Sequence, residues 1–434
     1  MGAMSSSAKP RPPVHHRRPA DPPGTAPRRA ALRLLDAVLR RGEPLEAALP
    51  QATRGLEGPD RGFAHAIAAE TLRRLPDLDS LIDSATHQVL PEDAKARSAL
   101  RIALVQTLAL GTPPHAAIAT VLPLVDGGPR KLVHGVFGAL TRGGATLPDV
   151  PALPPEIAAR WRASWGEDVV AAAARAIAVP PPLDLTLAAP DALAPEGDSL
   201  ATDHRRLRHA APVAQLPGFA EGTWWVQDVA ASLPARLIGR GPGRALDLCA
   251  APGGKTMQLA TAGWVVTALE ISPSRAARLH ENLARTKQPA TVVIADAMDW
   301  APSEPVDALL LDAPCSATGI FRRHPDVLYR AHAGIIADMA ALQAQLFDRA
   351  AAWVRPGGRL VYATCSLEPE EGEAQLERFL AEHPDYALEP PQPGELPHGF
   401  AAQSGGYLRT LPGTLEDAGG CDGFFIVRLV RASA

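Results

Sequence analysis

The strongest constraint on this chain is a change of hydrophobic period near residue 224. From there onward, short apolar runs alternate with amphipathic stretches. Residues 245–249, 264–269, 292–295, 308–312, 359–364 and 424–430 read as strands. Helices are predicted over 256–262 and through Arg275, Arg278, Leu279 and Leu283. Strand and helix in alternation imply an α/β fold with a doubly wound, mainly parallel sheet. Such sheets place ligands and chemistry beyond the carboxyl ends of their strands. The residues just past each strand therefore carry the functional information.

The rest of the chain is organised differently. A length of 434 residues is too great for one ordinary domain. Residues 30–143 read as all-helical: Leu32, Leu35 and Leu39 share a face, as do Phe63 and Ile67, then Leu100, Leu104 and Leu108, then Val133, Val136, Phe137 and Leu140. About six helices in a compact bundle are expected. A Gly- and Pro-containing linker covers 144–153. An intermediate region at 154–223 has a helix carrying Trp161 and Trp165, then a turn-rich stretch with one possible strand at 183–188. The α/β region runs from 224 to 432. Residues 1–29 hold six basic residues against the single acid Asp21, with many prolines, and read as a disordered basic arm. A solvated tail is the simpler account of that arm, and an RNA-touching one the alternative. The basic cluster from Asp203 to His209 has the same two readings.

Formal net charge is −4, so composition alone neither demands nor excludes a nucleic-acid partner. The four cysteines, Cys249, Cys315, Cys365 and Cys421, form no CxxC pair. That argues against a zinc site and a disulfide framework and fits a reducing cytoplasm. No apolar run approaches membrane-spanning length, and 5–29 lacks the apolar core of a secretory signal. A cytoplasmic monomer, without bound metal or membrane partner, is expected.

The first strand opens into the turn Cys249-Ala250-Ala251-Pro252-Gly253-Gly254-Lys255-Thr256. Small residues let the backbone approach a ligand, and the helix that follows offers free N–H groups. A phosphate-loop reading fails, because Cys249 occupies the position of the first glycine. The G-x-G-x-x-G dinucleotide fingerprint is also missing, which disfavours a nucleotide-dependent oxidoreductase. Glu270 ends the next strand, where a carboxylate accepts from ribose hydroxyls. Asp296 follows the third strand, in a position that often flanks an adenine pocket. Each acid alone is as readily an exposed strand end. Together with the turn they favour a nucleoside without pyrophosphate.

Two cysteines sit in matched positions: Asp312-Ala313-Pro314-Cys315 and Thr364-Cys365 each close an apolar strand. Cys249 and Cys421 read as small buried residues, the common fate of free cysteine. Two thiols delivered to one sheet edge point to covalent chemistry on an electrophilic carbon. Methylation at C5 of cytosine has that requirement. A thiolate adding at C6 makes C5 enamine-like, C5 takes a methyl group from S-adenosylmethionine, and loss of the C5 proton expels the thiol. Asp312 can hold the ring's polar edge during addition. The pattern leaves open which cysteine attacks.

These motifs resemble a known family. Ala250-Ala251-Pro252-Gly253-Gly254-Lys255-Thr256, the run from Asp312 through Cys315 to Gly319, and Thr364-Cys365-Ser366 are similar to the signatures of the Sun family of RNA cytosine-5 methyltransferases. Val226-Gln227-Asp228 and Arg322-Arg323-His324-Pro325-Asp326 resemble the type B class of bacterial 16S rRNA enzymes within it. Enzymes of that class carry an N-terminal helical RNA-binding domain like the NusB antitermination factor. The resemblance implies a Rossmann-like methyltransferase domain preceded by a NusB-like domain, with 16S rRNA as substrate and S-adenosylmethionine as cofactor. It implies Cys365 as nucleophile, Cys315 in product release, and Asp312 and Lys255 orienting the cytosine. The cofactor pocket would comprise Cys249 to Lys255, Glu270, Arg275, Asp296 and Asp312. Many relatives have Asp where this chain has Glu270. Cys421 precedes the familiar Asp422-Gly423-Phe424-Phe425 and is an unusual choice there.

Arg322, Arg323 and His324 follow the Cys315 loop and are expected to meet RNA phosphates. Gln227 and Asp228 would cover the methionine end or sit near the target base. The same chemistry on tRNA and a non-catalytic ribosome-assembly factor are the competing functions. Retention of Cys315, Cys365, Asp312 and Lys255 together speaks against the second.

Overall fold

The computed structural model describes residues 21–207 and 212–433. Residues 1–20 of the expected arm, and Arg208 and His209 of the basic cluster, lie outside the described residues. The described N-terminal part is a layer of seven α-helices: Thr25–Arg41, Leu45–Ala52, Gly58–Arg73, Leu75–Ser84, Lys95–Leu108, Pro114–Val121 and Gly127–Arg142. Leu35, Ile67, Leu100, Leu104, Val133 and Phe137 meet in its core, as their helical spacing requires. The first helix starts at Thr25, so the end of the expected arm is ordered helix. Arg28 explains the difference. Its Nε donates to Gln106 Oε1 at 2.7 Å, and its guanidinium lies 4.5 Å from the Phe63 ring centroid. Those partners are remote in sequence, so a local reading sees only a charged tail.

Helices Pro155–Trp165 and Glu167–Ala178 lead into a small antiparallel sheet. Its strands are β1 (Leu183–Leu187), β2 (Asp198–Ala201), β3 (His204–Leu207) and β4 (Trp224–Val226), in the order β2-β3-β1-β4. Only β1 was expected, and β4 pairs with β1 instead of joining the larger sheet. The charged β3 reads locally as a loop. It forms a strand because Arg206 Nε and Nη2 donate to the two oxygens of Asp184, both at 2.7 Å, within a buried interior. His204 is buried beside them. Both readings of this cluster, solvated loop and phosphate contact, are therefore corrected for His204 and Arg206, which face inward.

The second sheet comprises β5 (Arg244–Leu248), β6 (Val265–Glu270), β7 (Thr291–Ile294), β8 (Val306–Asp312), β9 (Val354–Thr364), β10 (Tyr386–Leu388), β11 (Leu408–Thr410) and β12 (Phe424–Arg431). The order is β10-β12-β9-β8-β5-β6-β7, with β11 on β12. Strands β5 to β9 are parallel, and β12 runs antiparallel to β9. The chain steps outward from β5 through β6 to β7, then returns to β8 on the other side of β5. Strand order thus reverses between β5 and β8, and a crevice opens at such a switch point. One face of the sheet packs Leu246, Leu309, Leu311 and Leu360 under Phe347, which stacks on Tyr362 at 4.4 Å and on Phe379 at 3.9 Å. The other face packs Leu310, Val361 and Ile426 against helix Val229–Ile238. Short β10 and β11 escaped the sequence reading because three residues show no periodicity.

The segment after β8 ties the helical layer to this sheet. Asp326 Oδ2 accepts from Leu45 N at 3.2 Å, Tyr329 Oη donates to Leu72 O at 2.7 Å, and Arg330 Nε donates to Gly42 O at 2.8 Å. Among the described residues, no helix is long and apolar enough to cross a membrane.

Removing one partner from a buried ion pair strands the other. Arg206→Ala should therefore destabilise the fold by about 3–5 kcal/mol. Urea unfolding followed by tryptophan fluorescence checks this, and an unchanged midpoint would show Asp184 to be hydrated.

Candidate active site

The parallel pairing of β8 on β9 sets Asp312 opposite Ala363. The chain continues past both strands on the same edge, so Cys315 and Cys365 emerge side by side. Their Sγ atoms lie 3.5 Å apart. Backbone bonds hold the approach: Ala313 N to Ala363 O at 2.9 Å and Gly319 N to Cys365 O at 3.0 Å. Gly319 is required here, because a Cβ would lie 2.0 Å from Gly423 O. Cys315 keeps its proton well above the ordinary thiol range. Its hydrogen bond with Cys365 is the main cause, followed by burial and the nearby charges of Cys365 and Glu371. The sulfur it faces is that of Cys365.

Lys255 and Asp312 stand beside the sulfurs. Lys255 Nζ donates to Asp312 Oδ2 at 2.7 Å and lies 5.5 Å from the Phe424 ring centroid. Burial disfavours the ammonium, but the charge and hydrogen bond of Asp312 outweigh it, so the Lys255 pKa is raised. Cys249, one residue past β5, is different. Burial, with Asp312 and Glu270 adding to it, pushes its thiol up to about 12. That thiol stays neutral and unreactive.

The turn after β5 bends through Gly253, with φ 105°, and a Cβ there would lie 2.5 Å from Leu279 Cδ1. Helix Gly254–Thr261 follows. Carboxylates stand at neighbouring strand ends around this turn. Glu270 is buried, accepting from Ala251 N at 3.3 Å and Ser272 N at 3.0 Å. Arg275, half-exposed, donates to Ala251 O at 2.9 Å and lies 3.5 Å from Glu270. Asp296 Oδ1 accepts from Met298 N at 2.8 Å. With Asp312, these acids make a poor site for a pyrophosphate and a suitable one for a cationic nucleoside. Ile271, immediately after Glu270, is an exposed apolar side chain, 59% accessible.

Of the residues predicted to meet RNA, Arg322 and Arg323 are occupied within the protein. Arg322 is buried, with Nη1 donating to Gly419 O at 2.8 Å and Nη2 3.3 Å from both Asp228 and Asp422. Arg323 Nη2 donates to Asp228 Oδ2 at 3.0 Å. His324 is mostly covered, and burial lowers its pKa. Basic residues after an active-site loop look like phosphate ligands until their acidic partners, remote in sequence, are seen. Asp228 and Gln227 also turn inward. Asp228 caps helix Val229–Ile238 through Ala230 N, and Gln227 bridges Trp225 and Gln258. Cys421 is buried, and its thiol is pushed up, chiefly by burial.

Two family models match the chain. Residues 239–430 match 16S rRNA methyltransferase RsmB/F, and residues 25–138 match the NusB family. The Ribosomal RNA small subunit methyltransferase B of Xanthomonas campestris pv. campestris is 36% identical over 94% of this chain and 98% of its own. That of Pseudomonas putida is 34% identical over 94% of this chain and 99% of its own. Among solved structures, PH0851 superposes with a TM-score of 0.72 at 21% identity, covering 95% of this chain and 100% of that one. A methyltransferase homolog protein from Pyrococcus horikoshii gives 0.53 at 24% identity, covering 68% and 98%. These two share the fold. Fold and site together define a Rossmann-like methyltransferase preceded by a NusB domain. Within that class, the chain belongs to the RsmB/F family of RNA methyltransferases, as its motifs implied.

Asp247 supplies a pH test of this site. It is fully buried, Thr256 Oγ1 donates to its Oδ2 at 2.5 Å, and its Oδ1 has no partner among the described residues. Burial, with Asp312 and Glu270 adding to it against the Thr256 bond, pushes its pKa up to about 7. Between its unfolded and folded pKa values the native chain holds a proton that the unfolded chain has lost. Its contribution to stability is therefore complete below about pH 4 and lost as pH rises through the folded pKa. The unfolding free energy of Asp247→Asn, minus that of the parent, should rise by about 1.4 kcal/mol per pH unit across this window. A pH-independent difference would show Asp247 ionised throughout.

Proposed function

We propose that this chain methylates C5 of a cytosine in 16S rRNA through a covalent bond between Cys365 and C6 of the ring. The observation that carries the reading is the sulfur pair at 3.5 Å beside the Lys255–Asp312 pair. The Lys255–Asp312 pair spans the switch point between β5 and β8, and the sulfurs lie one strand further along, past β8 and β9. The curated relatives' names supply the RNA.

The turn from Cys249 to Lys255, with Glu270, Arg275, Asp296 and Asp312, is where S-adenosylmethionine would sit, with Ile271 as an apolar wall for its base. When bound there, it supplies the electrophilic methyl group that an activated C5 takes. The protein's own work is to activate that carbon. Cys365, as thiolate, forms the S–C6 bond, and its electron pair makes C5 nucleophilic. Lys255 and Asp312 present a donor and an acceptor side by side to the ring's polar edge, where charge builds. After methylation, the C5 proton passes to a water, the C5=C6 bond re-forms, and the sulfur of Cys365 leaves as thiolate. Cys315 assists that elimination. The target base must leave its stack to reach these groups, at a cost of about a few kcal/mol. In this reading, the NusB domain docks the RNA. The reducing cytoplasm keeps the two sulfurs unpaired.

Cys365→Ala should abolish methyl transfer to small-subunit rRNA, and near-normal turnover would remove it as nucleophile. Cys315→Ala should accumulate a protein–RNA adduct, seen as a retarded band on a denaturing gel. Absence of both adduct and release defect would make Cys315 structural. Bisulfite mapping of rRNA and tRNA from cells lacking the protein should show one missing 5-methylcytosine in 16S rRNA. A loss confined to tRNA would reassign the substrate.

A further inference from the structure

The run Glu368-Pro369-Glu370-Glu371 after the second thiol looks like a solvated acidic turn. The fold buries two of these carboxylates completely, and it treats them differently. Glu368 has a cation: Arg160 Nε and Nη2 donate to it at 2.6 and 3.2 Å, and Trp161 Nε1 donates at 3.0 Å. Glu371 forms no ion pair among the described residues. Its oxygens are met by neutral donors. Oε1 accepts from Ser316 N at 2.8 Å and from Gln343 Nε2 at 3.1 Å, and Oε2 accepts from the hydroxyls of Ser316 and Ser366. A buried carboxylate without a cation is costly, and it is destabilising unless its bonds hold something in place.

What it holds is specific. Ser316 follows Cys315, and Ser366 follows Cys365. One carboxylate therefore joins the residue behind each sulfur. Its own backbone is fixed to β9, since Tyr362 Oη and Thr364 Oγ1 donate to Glu371 O at 2.9 and 3.1 Å. The backbone bonds at Ala313 and Gly319 pin the Cys315 loop on either side. Between them, at the level of the sulfurs, the Glu371 side chain bridges both serines.

We propose that Glu371 is a positioning residue that sets the spacing of the Cys315 and Cys365 sulfurs by bridging Ser316 and Ser366. The proposal rests on the reading that these two thiols carry the reaction. Glu371→Ala removes the bridge. Glu371→Gln keeps an acceptor for Ser316 N and offers an amide to the serine hydroxyls, so it should rescue.

The test uses the full chain and two readouts. The first needs no RNA. Phenylarsine oxide bridges two adjacent thiols with release of one water, and its affinity reports the sulfur spacing. Glu371→Ala should bind it about tenfold more weakly than the parent, the scale of one lost hydrogen bond, with Glu371→Gln within about threefold. The second is methyl transfer. Glu371→Ala should lower kcat about 100-fold with KM for RNA and cofactor nearly unchanged, and Glu371→Gln should recover most of it. If Glu371→Ala does not fold, Ser316→Ala and Ser366→Ala each remove one arm and should weaken arsenical binding by about threefold. Parent-like arsenical affinity in the variants that break the bridge overturns the proposal, as does a Glu371→Gln chain as impaired as Glu371→Ala. If the parent chain methylates no cytosine, the functional reading fails, and the arsenical affinities still decide the role of Glu371.

Discussion

The parallel register of β8 on β9 is the constraint on which the site depends. With Asp312 opposite Ala363, two segments leave the sheet on the same edge, and their cysteines have no choice but to meet. A slip of one residue would send every side chain of one strand to the other face. The leucines on β8 that forbid such a slip are buried on both sides of the sheet. The apolar core and the sulfur contact are thus one specification, written in the same short strands.

Charge is arranged by the same logic of remote pairing. Asp184 holds Arg206 in the small sheet, while Asp228 and Asp422 hold Arg322 and Arg323 beside the reactive loop. Asp422, buried next to Asp228, is itself pushed up to about 7, by burial first and then by that neighbour. Buried ions of this kind add little net stability, yet none can be removed singly without stranding a partner. They fix the loop behind Cys315 to the small sheet and to the residues before β12. An arginine drawn into such a lattice is unavailable to phosphate, whatever its position in the motif.

The sequence was most legible where a pattern is local. Alternating periods reveal a doubly wound sheet, and the small residues around Gly253 reveal a strand-to-helix turn. Cys315 and Cys365 stood out because each closes an apolar run. Reading failed where a residue's meaning comes from a distant partner. Arg28 looked like tail and is helix, because Gln106 and Phe63 receive it. Arg206 looked like part of a solvated or phosphate-touching loop and is core, because Asp184, two strands away in the chain, receives it. Glu371 drew no reading from the sequence, because nothing near it announces Ser316. Burial of a charged side chain is a property of the tertiary fold, and no window of neighbouring residues contains it.

The ties between the segment after β8 and the N-terminal helices have a mechanical consequence. Gly42 and Leu45, at the turn between the first two helices, and Leu72, at the end of the third, each bond to the stretch from Asp326 to Arg330. Arg73 adds a fourth tie through Arg322 O at 2.7 Å. The helices are thus splinted onto the very stretch that carries Cys315, with no slack tether between. Every point on that layer is therefore held at a fixed reach from the two sulfurs.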